Sequence, residues 1–386
     1  MLALLLARRG VAVTLLEAHK DFERDFRGDT VHPSVLEVLD EIGLSEKAHQ
    51  LRHTKTYGPA IQTSDGPFQP VDLRRLKTKF PYVMLVPQSR FLEFLTGEAA
   101  RYPHFRLKMG ANVHDLIREN GAVQGVRYQT RETEGEVRAL LTVGADGRHS
   151  RVRHLAGIEP VKTSPPMDVL WFRLPRMASD PEAPTGLLGR FGPGRLLAVM
   201  DRQDYWQVGL VFAKGHYQEV RAAGMDAMRG AIVELEPRFA EHVSALQEWR
   251  QFSLLSVESS RCPRWHQPGL LLIGDAAHVM SPVGGVGINY AIQDAVVAAN
   301  VLTRPLLEGR VEERRLEEVQ RQREFPTRFI QGVQSLMQRR VLASVLRSTQ
   351  AVRVPGWLRV VLRMPGVRRV PARLIGFGVR KVHVET

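Results

Sequence analysis

The chain has 386 residues, 44% hydrophobic and 25% charged, with a formal net charge of +13 and one cysteine, Cys262. That length buries a sizeable core in two domains or slightly more. One cysteine excludes intrachain disulfides and Cys-x-x-Cys zinc sites and fits a reducing compartment, and no apolar run reaches the length of a membrane-spanning helix.

Residues 1–10 read as a helix ended by a glycine C-cap, and residues 11–17 as a strand with an acid, Glu17, at its end. This is the second half of a dinucleotide-binding βαβ unit. In such a unit an acid about twenty residues past a G-x-G-x-x-G turn binds the adenosine ribose, and Glu17 fits that role. The glycine turn and its strand do not precede the helix here, so the expectation is a start site assigned too late, with Met1 an internal helix residue. No secretory leader is visible. Phe26-Arg27-Gly28-Asp29-Thr30 leads into a helix over 35–42 that Gly43 ends. His49 and His53 stand four apart without nearby carboxylate or thiol partners. They read as a solvated helix surface rather than metal ligands, and no metal site is expected. Residues 86–93, with Gln88 and Arg90 near the start, open another amphipathic helix.

Residues 143–153 read as a strand end, a tight turn at Asp146-Gly147, and a basic helix start containing Arg153. Residues 169–174, 195–200 and 205–212 are β-rich, and 224–235 is helical. Residues 270–273 form an apolar strand feeding a turn that holds Gly274, Asp275, His278, Pro282, Gly284, Gly285 and Gly287. A helix of about 288–302 follows, with Ile288 and Asn289 at its start. Glycines let backbone approach a flat ligand. The helix start offers N–H groups and partial positive charge to a group that becomes anionic.

The last segment, 331–386, holds eleven Lys and Arg against one acid, Glu385: +10 of the +13, which leaves +3 for residues 1–330. Stretches 341–346, 357–362 and 374–379 interleave apolar residues with the arginines, and Pro355-Gly356, Pro365-Gly366 and Pro371 break the segment into short helices or turns. Two readings stand: a tail that touches anionic membrane or an acidic partner, and, preferred, a helical cap on the main body with a solvated basic face. Nucleic-acid binding is not expected, since no aromatic platform or nucleic-acid fold accompanies the charge.

The segment from Gly274-Asp275 to Asn289, and the Asp146-Gly147 motif with Ser150 and Arg153 in register, resemble the FAD-binding signatures of the para-hydroxybenzoate hydroxylase-like, or group A, flavoprotein monooxygenases. The resemblance covers most of residues 1–330. It implies an α/β fold: a Rossmann-like, three-layer ββα FAD-binding domain (1–58, 86–160 and 258–330), an inserted β-rich substrate domain (59–85 and 161–257), and a C-terminal basic helical segment (331–386). It implies that Gly274 and Asp275 meet the ribityl and pyrophosphate region. Pro282, Gly285, Gly287, Ile288 and Asn289 would face the flavin. Asp146, Gly147 and Arg153 would touch FAD and the pyridine nucleotide, Arg27 the diphosphate or ribose, and Gln88 or Arg90 the ribityl chain. Pro282 and His278 are the candidates beside the ring; His278 reads as a brace for the turn, with general base as the alternative. Trp171, Phe172, Arg173, Trp206 and Phe212 are candidates for the pocket wall. The implied activity uses NADH or NADPH and O2 to hydroxylate or epoxidise an aromatic or polycyclic, lipophilic small molecule through a flavin C4a-hydroperoxide, in the cytoplasm or peripheral to a membrane. The rivals are an FAD-dependent reductase of the lipid-saturating type and a non-catalytic chain that has lost the glycine turn.

Overall fold

A computed structural model of the chain describes all residues except 24–29, 64–65, 182–185, 349–355, 357–366, 368 and 386. Helix α1, Leu2–Arg8, buries Leu4, Leu5, Leu6 and Ala7. Gly10, at φ +84°, ends it, since a left-handed residue after a helix is cheapest as glycine. The strand Val13–Glu17 follows and runs parallel to Phe105–Met109, with Glu17 opposite Met109. Helix α2, Pro33–Glu41, starts on proline, whose fixed φ suits a first turn, and Gly43 at φ +71° closes it. Helix α3, Gln88–Ala99, turns Phe91, Leu95 and Ala99 inward at four-residue spacing. These helices share one core with Val296 and Ala299.

A second parallel pair joins Thr142–Gly144 to Leu270–Leu272. The largest sheet has seven strands in the order Ser253–Ser256, Met167–Pro175, Tyr205–Ala213, Arg195–Asp201, Leu187–Gly192, Ala60–Thr63 and Gly66–Phe68. Every neighbour is antiparallel except Leu187–Gly192 beside Ala60–Thr63. The helix Gly224–Leu235 covers one face of this sheet, packing Met228 and Ile232 on Phe172, Leu174, Val199 and Val208.

Two long helices complete the body: α4, Gly287–Leu307, and α5, Glu313–Met337. Helix α5 passes through residue 331 unbroken, then makes one π-helical turn, Gln338–Leu342, before Ala343–Arg347. Near the chain end, Arg369–Phe377 buries Ala372 with Leu73, Val83 and Leu85. Lys381 pairs with Glu37 at 3.1 Å, His383 pairs with Glu41, and the Asn300 side chain donates to His383 O at 2.8 Å. The end of the chain thus lies along α2 and α4, with Lys381 and His383 on acids of α2, while Leu342 and Leu346 pack on the large sheet.

The two histidines depart from expectation. The helix Ser45–Gln50 ends before His53. His49 stacks on Phe80 at 5.6 Å between ring centroids and shares a hydrogen bond with the Tyr82 hydroxyl at 2.6 Å. They join a half-buried aromatic cluster, not a solvated face, because the chain turns at Leu51 and folds them onto Phe80 and Tyr82. Among the described residues no group of His, Cys, Asp or Glu could hold a metal ion, and no helix is long and apolar enough to cross a membrane.

Candidate functional site

Three acids stand at or just past the C-terminal ends of parallel strands, where open α/β sheets hold ligands. Glu17 ends its strand, Asp146 follows Gly144, and Asp275 follows Leu272. The last two strand ends adjoin, since Ile273 N donates to Gly144 O at 3.0 Å. From Leu270 to Ser281 every residue is buried except Asp275. A carboxylate is therefore the one side chain that this turn delivers to the surface.

A buried charge cluster fixes the turn. Asp294 of α4, fully buried, accepts from Gly274 N at 3.0 Å, His278 Nε2 at 2.6 Å and Arg323 Nε at 2.8 Å. Burial alone would raise its pKa, yet His278 and Arg323 hold the carboxyl below the usual carboxylate range. Arg323 also donates to Gln293 at 2.9 Å. His278 is 1% exposed, lies 4.8 Å from the Trp265 ring, and has no partner for Nδ1 among the described residues. It braces the turn from below and is walled off from the surface that Asp275 reaches. Gly274 has no room for a side chain, because a Cβ would stand 3.0 Å from that of Ala291.

Pro282, Gly284 and Gly285 shape the loop that enters α4. Both glycines are left-handed, at φ +82° and +63°. Thr30 Oγ1 donates to Gly285 O at 2.8 Å, and Asn289 Nδ2 donates to the same carbonyl at 3.2 Å. Asn289 Oδ1 accepts from His32 N at 3.0 Å. Asn289 is thus buried and ties the loop to the Thr30–Val31 strand rather than facing outward. No side chain caps the start of α4, so its first N–H groups at Gly287 and Ile288, both half-buried, are left for an external acceptor. An anionic ring edge fits there.

His32, which the sequence reading left without a role, belongs to this wall. Burial pushes its pKa down to about 4 against a backbone hydrogen bond that raises it. The neutral ring shares a hydrogen bond between Nδ1 and Ile375 O at 2.6 Å. A carbonyl only accepts, so the proton sits on Nδ1. That leaves Nε2 an acceptor, 3.6 Å from where a Gly285 Cβ would stand.

A row of amides on α5 and the π-helical turn after it holds the loop and the segments beside it from behind. Gln320 donates to Pro263 O at 2.9 Å; Gln331 to Ser260 O at 2.9 Å and Val279 O at 3.1 Å; Gln334 to Ser281 O at 3.0 Å and Val283 O at 2.8 Å; and Gln338 to Ser281 Oγ. The signal was their helical spacing in the sequence, but a polar stripe on a helix ordinarily faces water.

The other candidates are tied into the fold as follows. Asp146 accepts from Ser150 Oγ and from Val152 N at 3.0 Å, so it caps the helix Arg151–Leu155. The Arg153 guanidinium donates to Ala276 O at 3.0 Å and Arg148 O at 2.9 Å. It clips the Asp-Gly turn, with Gly147 at φ +84°, onto the Gly274 turn. Glu17 accepts from His19 N at 3.0 Å. Gln88 is the first residue of α3 and Arg90 is exposed. The strand Val83–Leu85 before them pairs with Thr30–Val31, beside the loop. Arg27 lies outside the described residues.

Over residues 1–331 the chain matches the family model described as an FAD binding domain. Over its whole length it is 34% identical to 6-methylpretetramide 4-monooxygenase of Streptomyces rimosus, covering 91% of that protein. Over 69% of its length it is 30% identical to 12-dehydrotetracycline 5-monooxygenase/anhydrotetracycline 6-monooxygenase of the same species, covering 52% of that longer protein. OxyS anhydrotetracycline hydroxylase from Streptomyces rimosus superposes with a TM-score of 0.75 at 25% identity, over 97% of this chain and 72% of that one. PqsL from Pseudomonas aeruginosa shares the fold, with a TM-score of 0.75 at 19% identity over 90% and 96% of the two chains. The chain belongs to the FAD-dependent monooxygenases of the para-hydroxybenzoate hydroxylase-like family.

Proposed function

We propose that the chain hydroxylates a flat, polycyclic aromatic small molecule, with NADH or NADPH as reductant and dioxygen as the oxygen source. The observation that carries this reading is the full-length 34% identity to an enzyme named for oxygenating 6-methylpretetramide. The large sheet supports it. One register row runs Ile61, Gly189, Ala198, Gly209, Trp171 across neighbouring strands. The Trp171 ring lies over Gly209, where a Cβ would stand 2.8 Å from the ring. Trp171 and Leu196 share an apolar cluster with Val283 of the loop and with Leu342 and Leu346. A low shelf of small residues beside an indole suits a planar ring system better than a chain or a sugar. Phe172, Trp206 and Phe212 point to the opposite face, into the core under Gly224–Leu235, and Arg173 lies over the Tyr205 ring at 4.9 Å. Only Trp171 among the aromatic pocket candidates faces the loop.

Bound FAD would supply the redox chemistry: electrons from the nicotinamide, and transfer of one oxygen atom of O2 to substrate. The protein binds, orients and excludes water. In this reading Asp275 meets the ribityl and pyrophosphate region, and Gly285, Gly287 and Ile288 present backbone to the ring. Pro282 stiffens the loop, Glu17 reaches the adenosine ribose, and Gln88 or Arg90 at the α3 start reaches the ribityl chain. His278 takes no proton from substrate, being sealed under the turn. The test is NAD(P)H oxidation by the yellow holoenzyme with a panel of polycyclic phenols. Substrate-dependent oxidation without equimolar peroxide, with label from 18O2 in the product, is expected. Alkene reduction under anaerobic conditions, or protein that takes up no flavin, overturns the reading.

A further inference from the structure

The outer line of α5 is apolar, and amphipathic logic does not account for it. Phe325, Phe329 and Leu336 recur at spacings of four and seven, on the side opposite Arg323, Thr327, Ile330 and Gln334, which face the core. Their exposures are 54%, 43% and 60%, and Met337 and Val341 at the π-helical turn add 47% and 50%. The two phenyl rings lie 6.3 Å apart, and the Arg380 guanidinium stands 5.6 Å over Phe325. A helix on a protein body ordinarily turns such positions polar, and a contiguous apolar patch marks a contact.

The charges around the patch are mostly basic, and wholly so past Glu324. Arg321, Arg328, Arg339 and Arg340 are exposed beside it. Among the described residues the acids near them are Glu324, 3.8 Å from Arg328 in an exposed pair, and, beside Arg321 only, Glu317 and Glu318. From Phe325 to Val384 the sequence contains no Asp or Glu. We propose that this face of α5, with the turn that follows, docks on an anionic lipid surface. Phenyl and aliphatic side chains enter the boundary between headgroups and acyl chains, while flanking arginines reach the phosphates through long apolar stems. A second copy of the chain is the poorer occupant, because a two-fold contact through this face sets arginine against arginine.

The experiment is co-sedimentation of full-length, flavin-loaded protein with vesicles of phosphatidylglycerol and phosphatidylcholine, and with vesicles of phosphatidylcholine alone. Binding to the anionic vesicles, falling as salt rises, is expected; binding to the neutral ones is expected to be far weaker. Each arginine is worth about fivefold near an anionic surface, so Arg328→Gln, Arg339→Gln and Arg340→Gln together lower partitioning about a hundredfold. Phe325→Ser, Phe329→Ser and Leu336→Ser together abolish it. Both triple variants keep their flavin absorbance and NAD(P)H oxidation, since these side chains are exposed on the outer side of the helix and its turn. Holoenzyme that stays in the supernatant at low salt overturns the proposal. So does equal binding to both vesicle types, or undiminished binding by the serine variant. Sedimentation velocity without lipid that shows a dimer dispersed by the serine variant assigns the face to a second copy and also overturns it.

Discussion

Replacing Arg323 with methionine tests whether the charge cluster beneath the Gly274 turn holds that turn in place. Arg323 and Asp294 are 1% and 0% exposed, so water cannot take over for the lost guanidinium. Removing one partner of a buried ion pair costs about 3–5 kcal/mol, mostly the price of leaving the other charge alone. Here Gly274 N and His278 still bond Asp294, while Gln293 Oε1 loses its guanidinium donor. We therefore place Arg323→Met near 3 kcal/mol, a fall in melting temperature of about 4 °C. Flavin release, followed by the rise in flavin fluorescence on heating, should move at least as far, because the turn carries Asp275. Adding Asp294→Asn removes the stranded charge and leaves an amide that still accepts from Gly274 N. The double variant should thus recover about half the loss, so that the two single losses do not add. The reasoning is refuted if Arg323→Met melts within a degree of the parent, or if the two losses simply add.

Gln334→Leu removes the donor from Ser281 O and Val283 O at nearly constant volume, costing about 1–3 kcal/mol per stranded carbonyl; denaturant unfolding measures it, and a change below about 0.5 kcal/mol refutes the clamp. His32, held neutral with a pKa of about 4 against an ordinary 6.5, binds its proton first in the unfolded chain. Its contribution is complete above pH 6.5 and is lost as pH falls through 6.5 to about 4, amounting to roughly 3 kcal/mol from 1.36 kcal/mol per pH unit. His32→Gln should flatten the melting-temperature profile across that window. Burial pushes the Cys262 thiol up to about 11, so it should resist a disulfide reagent at neutral pH in the native state and titrate as one thiol on denaturation. Gly209→Ala puts a methyl 2.8 Å from the Trp171 ring. It should cost about 1–3 kcal/mol, raise KM, and release more peroxide per NAD(P)H; an unchanged KM would remove Trp171 from the substrate wall.

Glycine made the helix ends legible: Gly10 and Gly43 take left-handed φ values that other residues resist, and α1 and α2 stop beside them. The helix over 224–235 and the strand starts at 195 and 205 read cleanly from period alone. Period could not say which face of a strand meets the loop. Trp171 and Phe172 are consecutive on an extended strand and must point to opposite faces, so naming both for one pocket was bound to fail for one of them. Only the packing of Gly224–Leu235 decides that Phe172 is the core residue. Asp146 and Arg153 matched a ligand-contact motif, yet both also tie protein to protein, since short-range capping and carbonyl contacts leave no trace in a motif. The amides of α5 were invisible for a stronger reason. Their partners are backbone carbonyls, which every sequence has, so nothing in the residue pattern distinguishes a buried polar stripe from a wet one.

That stripe follows from what the loop lacks. Between Ser281 and Gly287 there are three glycines and a proline, so the loop has little side chain with which to anchor itself. Yet it must hold one shape to offer backbone to a flat ring. Its inward carbonyls need donors, because an orphaned buried carbonyl costs about as much as a lost hydrogen bond. Water would satisfy them without fixing geometry. Gln334 on α5, Gln338 at the π-helical turn, Thr30 on its strand and Asn289 on α4 supply donors from separate rigid elements, and together they overdetermine the loop. Directional bonds from behind leave the front bare, which hydrophobic anchoring could not do without side chains protruding where the ring must lie. The same logic places Asp294 and Arg323 under Gly274: the turn is nearly all backbone, so its position is set by charges on two neighbouring helices.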